Sequence, residues 1–173
     1  MKRFSFFHFL FLILFVMVVS GNCSKAQQIP ERDTLIIEGI DVDLENTNSG
    51  IEIWRSNSPG LKVWGQFGCT GDFSGWKPKA GQAVYRFETL ADGSQPPVVR
   101  IIYSKYSEPV VVKLTLDDQV RYFTPENQGN WNEFTVIKCT FKKPMIKGKH
   151  VLKFYTDGVQ YGVMDIARII IIC

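Results

Sequence analysis

VVVKLTL, residues 110–116, alternates with a period of two: Val110, Val112, Leu114 and Leu116 point one way, and Val111, Lys113 and Thr115 the other. A pleated strand with one face against a core produces this pattern; a helix would repeat at 3.6 residues. Related patterns run outward in both directions. They are TLIIEGI (34–40), GIEIW (50–54), LKVWG (61–65), AVYRFE (83–88), VVRIIYS (98–104), NEFTVIKCTF (132–141), HVLKFYT (150–156) and VMDIARIIII (163–172). Turn clusters such as SNSPG, ADGSQPP, YSEP and TDG separate them, using glycine for positive φ and proline for its fixed φ. No amphipathic helix of useful length interrupts the series. Short strands with frequent turn signals between residues 34 and 173 predict an all-β, antiparallel two-sheet β-sandwich, with a barrel as the alternative. The last run is apolar from Ile166 to Ile172 except at Arg168, which suits a central strand covered on both faces.

The 173-residue chain is long enough for one domain after its leader is removed. Met1-Lys2-Arg3 followed by the apolar run Phe4 to Val19 reads as a secretory signal peptide over residues 1–26. The run is shorter than the ~18–20 residues that cross a bilayer, so no transmembrane segment is expected. Two processing sites compete. Ser24-Lys25-Ala26 suits cleavage before Gln27, whereas VVSGNCS (18–24) resembles a bacterial lipobox that would make Cys23 the acylated first residue. Either route predicts a secreted, extracellular or outer-membrane lipoprotein, with residues 27–33 as a short tether to the domain 34–173.

The formal charge of +3 falls to +1 without Lys2 and Arg3, and to zero without Lys25 as well. A chain with no basic bias is not expected to bind nucleic acid. Cys23, Cys69, Cys139 and Cys173 lack the spacing of a zinc site. Among the last three, one disulfide is compatible with an oxidising compartment, and the sequence does not choose the pair.

Catalytic chemistry finds little support. A hydrolytic triad would need His150, the one histidine beyond the leader, and its place at a strand start among lysines predicts a solvated residue. The acidic residues Asp41, Asp43, Glu45, Asp117 and Asp118 occupy turn-like contexts where solvated carboxylates are the default. GQFGCTGDFSG (65–75) follows a strand but opens no helix, so it is not a phosphate loop.

The large aromatics divide into two groups. Trp54 and Trp64 lie in apolar strands and are expected in the core. Trp76, in CTGDFSGWKPKAG (69–81), and Trp131, in PENQGNWNEF (125–134), are ringed by glycine, proline and small polar residues. An aromatic plane on a sandwich-end loop suits a sugar, whose ring offers a flat patch of C–H bonds edged by hydroxyls. Asn127, Gln128, Asn130 and Asn132 would supply amides around Trp131.

From Gly75 onward the chain resembles the galactose-binding-like β-jelly rolls of carbohydrate-binding module families 6 and 35. The matching stretches, in order, are GWKPKAGQAVY (75–85), VVRIIYS, VVVKLTLDD (110–118), NQGNW (127–131), IKGKHVLKFY (146–155) and MDIARIII (164–171); IIEGID (36–41) is similar to the family's opening strand. The resemblance implies that Trp76 and Trp131 wall a sugar-binding slot. It also implies that Glu38, with Asp41 beside it, helps hold a structural calcium. Where the family places an asparagine entering the last strand, this chain reads Gly162-Val163-Met164-Asp165, so Asp165 would take over those hydrogen bonds. The expected protein is a non-catalytic binder of polysaccharide or oligosaccharide, acting beside a polysaccharide-degrading enzyme. A small β-sandwich glycoside hydrolase or polysaccharide lyase, and a surface adhesion domain without a sugar site, are the alternatives.

Overall fold

The computed structural model describes residues 33–55, 61–70, 75, 77–159 and 161–173. The expected leader, the tether through residue 32, Cys23 and Trp76 lie outside the described residues. Within them, the alternation of residues 110–116 takes the expected form: Val112, Leu114 and Leu116 are fully buried and Val111 is exposed.

One sheet has six strands. β10 (Asn130–Thr140), β7 (Val98–Lys105), β12 (Met164–Ile172), β3 (Leu61–Phe67) and β2 (Ile51–Arg55) lie side by side in that order. β3 pairs with the first residues of β12, and β1 (Thr34–Glu38) pairs with the later ones. The second sheet runs β6 (Gly81–Thr89), β11 (Gly148–Thr156), β8 (Val112–Leu116), β9 (Gln119–Phe123). A short ladder, β4 (Cys69–Thr70) with β5 (Lys77–Pro78), stands apart. The pairings are antiparallel and the two sheets do not close into a barrel.

Side chains from both sheets fill the core. Phe154 of β11 meets Phe67 of β3 edge-on at 6.4 Å between ring centres, and Tyr85 of β6 at 5.8 Å. The polar tips of buried rings find partners, as burial requires. Tyr85 donates to the Gly39 carbonyl at 2.9 Å, and Tyr103 accepts from the Glu126 N–H at 2.9 Å. Trp64 is a core residue, as expected, and its Nε1 donates to the Ser49 carbonyl at 2.9 Å. Gly50, at φ +93°, makes room for it: a Cβ there would sit 2.4 Å from that Nε1. The side chain of Trp54 lies outside the described residues.

β12 is central, but its two faces are not equally covered. The register shifts between Ile166 and Arg168, leaving Ala167 as an extra residue in a bulge. Beyond it Ile169 and Ile171 enter the core, while Ile170 and Ile172 are half-buried on the outer face. β9 was not expected. It forms a hairpin with β8 across Asp117 and Asp118, and Asp117 adopts φ +51°, which aspartate tolerates better than most residues.

The disulfide left open among Cys69, Cys139 and Cys173 does not form, since all three are free thiols. One further expectation is corrected. His150 is not solvated: it is 3% exposed, stacked on Phe87 at 5.4 Å. Its Nδ1 lies 2.7 Å from Asp117 Oδ2, and its Nε2 lies 2.8 Å from the Ile146 carbonyl and 3.0 Å from Thr89 Oγ1. Asp117 reaches over the strand start because its other oxygen accepts the Val151 N–H at 2.9 Å, closing the hairpin on β11.

Candidate functional site

At one end of the sandwich β3, β7, β9 and β11 finish and β2, β6, β8, β10 and β12 begin. The connecting loops are drawn together by backbone bonds. The Gly68 carbonyl accepts the N–H groups of both Lys79 and Val159 at 3.0 Å. Gly158, at φ +88°, packs so closely on Lys79 that a Cβ would lie 2.5 Å from its carbonyl carbon. Between these loops opens a cleft of about 420 Å³, lined by Pro78, Ser107, Glu108, Gly158, Val159 and Tyr161.

Tyr161 was missed by the sequence reading. It is 53% exposed and sits at φ +67°, a left-handed conformation that is strained for a side chain of this size. The signal was present, since TDGVQYG surrounds this ring with the same small polar and glycine residues as the loop tryptophans.

The loop carrying Trp131 joins the same end. Its Asn127 donates through Nδ2 to the Ser107 carbonyl at 3.3 Å, and the Gln128 N–H donates to the Lys105 carbonyl at 2.9 Å. Asn130 pairs with Lys105, and the next matched pair is Thr135 with Tyr103, so the residues between them bulge out opposite Ser104 alone. Trp131 is half-buried in this bulge, its carbonyl accepting from Ser104 Oγ at 2.8 Å. The amide oxygens of the expected rim serve the loop itself. Asn127 Oδ1 accepts the Gly129 N–H at 2.8 Å, and Asn130 Oδ1 accepts those of Asn132 and Glu133 at 2.7 and 2.9 Å. Trp76 lies outside the described residues, but Pro78, two residues on, lines the cleft.

No family model matches the sequence, and no curated protein matches it. Solved structures do match. A family 6 carbohydrate-binding module of a laminarinase from Zobellia galactanivorans superposes with a TM-score of 0.59 at 14% identity, covering 82% of this chain and all of the module. A family 35 module from Clostridium thermocellum gives 0.61 at 9% identity, over 80% of this chain and 97% of the module. A family 6 module of Cellvibrio mixtus lichenase 5A, in complex with cellotriose, gives 0.57 at 14%, over 80% and 96%. The chain has the fold of the family 6 and family 35 carbohydrate-binding modules.

Asp165 does not reach the surface, where a sugar would bind. It is fully buried at the start of β12 and accepts the Gln66 N–H at 2.9 Å, so its carboxylate shapes the edge of β3 rather than a sugar slot. The expected calcium does not fit either. Arg168 of β12 occupies Glu38 through Nε at 3.0 and 3.2 Å and Nη2 at 2.8 Å, while Asp41 Oδ2 accepts the Glu38 N–H at 3.1 Å. A guanidinium already neutralises the carboxylate and would repel a divalent cation. Among the described residues no three His, Cys, Asp or Glu side chains gather to hold a metal. Chelation with EDTA should therefore leave the melting temperature unchanged in a thermal denaturation scan; a clear fall would contradict the Arg168 reading.

A second aromatic surface lies elsewhere. Tyr155, Lys113 and Tyr122 form one row across β11, β8 and β9 on the outer face of the four-stranded sheet, and both tyrosines are exposed. At the end opposite the cleft, Asp117, His150 and Thr89 form a hydrogen-bonded series with the order of a hydrolytic triad. Its surroundings oppose that chemistry. Thr89 Oγ1 lies 2.9 Å from the Ile146 carbonyl and 3.5 Å from that of Gly148, acceptors where an oxyanion would need donors. The thiols are no better placed, since burial pushes Cys69 up to about 11 and raises Cys139 and Cys173.

Proposed function

We propose that this is a non-catalytic carbohydrate-binding domain that takes a neutral glycan at the loop end of the sandwich. The observation that carries the reading is the cleft beside an exposed, backbone-strained Tyr161. A tyrosine held there is poorly explained by packing and well explained by a ring that must stack on it. Trp131, and Trp76 two residues before Pro78 in the sequence, would add further aromatic walls. Among the described residues that line the cleft Glu108 is the charged one, so uronates and sulfated sugars would be repelled. The leader and the Cys23 motif support export, with the domain secreted or lipid-anchored and assisting a polysaccharide-degrading enzyme.

The similar structures suggest the probes: laminarin, lichenan and cellotriose. Base–aromatic stacking provides a scale of ~1–3 kcal/mol per ring, so one or two rings and a few hydrogen bonds predict a Kd of roughly micromolar to millimolar by calorimetry. The same sugars should yield no new reducing ends on prolonged incubation. Silence across the panel would favour an adhesion domain, and binding confined to polyuronates would overturn the neutral-glycan assignment.

A further inference from the structure

Lys105 ends β7 with its side chain fully enclosed. Its Nζ donates to Ser107 Oγ at 2.7 Å, to the Glu108 carbonyl at 2.7 Å and to the Val163 carbonyl at 3.1 Å. Those three bonds use all three ammonium protons on neutral oxygens. Burial pushes the ammonium down to about 8, which marks how unfavourable the charge is in this position. An ammonium enclosed among neutral oxygens carries a desolvation cost that its three hydrogen bonds must offset, which calls for a reason to place a lysine here.

The placement does account for it. Ser107 and Glu108 line one side of the cleft, while Val163 closes the loop that carries Val159 and Tyr161 on the other. The same lysine's carbonyl receives the Gln128 N–H, which hangs the Trp131 loop from this point. We propose that Lys105 is the positioning residue of the glycan site, its ammonium tying the 106–109 loop to the 157–163 loop and so setting the width of the cleft. The proposal rests on the sugar-binding reading of that cleft. Lys105 is fully enclosed and does not touch the ligand; its contribution is geometric.

The test compares Lys105→Met, which keeps the length and removes every donor, with Ser107→Ala, which removes one acceptor and leaves the lysine in place. Three quantities are read well below the melting temperature: glycan affinity by calorimetry, amide hydrogen exchange of both loops in the free protein, and the melting temperature itself. Lys105→Met should bind at least about tenfold more weakly, the scale of a lost hydrogen bond to a charged group. Its 106–109 and 157–163 amides should exchange faster, with β6 and β11 unchanged, and the melting temperature should fall because the Glu108 and Val163 carbonyls lose their donor. Ser107→Ala should show a smaller change in the same direction. Unaltered affinity and loop exchange in Lys105→Met would overturn the proposal; if that variant does not fold, unaltered loop exchange in Ser107→Ala would do so. A wild-type protein that binds no glycan, yet whose loops loosen in Lys105→Met, would refute the sugar reading and leave the clasp standing.

Discussion

Tyr161→Gly should abolish measurable glycan binding while leaving the melting temperature unchanged or raising it. The tyrosine occupies φ +67°, where glycine carries no strain, and the residue is about half exposed, so the relief of strain offsets the packing that is lost. Stacking of ~1–3 kcal/mol converts to about a 5- to 150-fold loss of affinity, enough to move a weak binder beyond detection. A residue whose removal stabilises the fold and destroys binding is serving the ligand. Trp131→Ala should weaken binding by a similar factor, but with a melting temperature lower by ~2–4 °C because its indole is half-buried. A Trp131→Ala chain that fails to fold would identify that ring as a plug under its loop. Unchanged affinity in both variants would remove the loop end from consideration.

His150→Ala carries the largest expected effect on stability. The ring is buried, stacked on Phe87, and engaged at both nitrogens by groups from three segments: the β8–β9 turn, the 141–147 loop and the end of β6. Deleting it leaves a cavity and strips partners from the Ile146 carbonyl and Asp117, for a cost of about 2–4 kcal/mol. For a domain of this size that lowers the melting temperature by roughly 6–12 °C. Asp117→Asn should cost much less, since asparagine keeps the acceptor for the Val151 N–H and tolerates the positive φ. Glycan affinity should be unchanged in both, because the cluster lies at the opposite end from the cleft. A His150→Ala protein as stable as wild type would show that the cluster is incidental.

The fold was legible wherever strands alternate with their apolar side inward. β8 is the clearest case, with Leu114 and Leu116 in the core and Lys113 and Thr115 outside. β9 escaped because it lies at the sheet edge and reverses that sense: Val120 and Tyr122 face out while Arg121 is half-covered. The Asp117–Asp118 pair after so strong a strand was the available hint of a two-residue hairpin. β12 misled in part, because a run of isoleucines does not reveal the bulge at Ala167 that returns Ile170 and Ile172 to the outer face.

The site was legible only as a location. Context alone picked out the Trp131 loop, which does meet the cleft-lining segment through Asn127 and Ser107. The same context around Tyr161 went unread because tyrosine is so often a core residue, as Tyr85 and Tyr103 are here. Lys105 and His150 had no sequence signature at all. Both are buried polar residues at strand ends, and their enclosure depends on loops that arrive from distant parts of the chain. Asp165 shows the converse error: a position matched by order along the chain turned its side chain inward, to a backbone amide of β3.

The central claim is that a neutral glycan occupies the cleft between Ser107, Glu108 and Tyr161. Amide chemical-shift mapping of the protein titrated with laminarin oligosaccharides or cellotriose tests it most directly. The account predicts saturable shifts concentrated at residues 105–109, 127–131 and 157–163. Shifts confined to Lys113, Tyr122 and Tyr155 on the outer sheet face, or none at any concentration of either sugar, would contradict it.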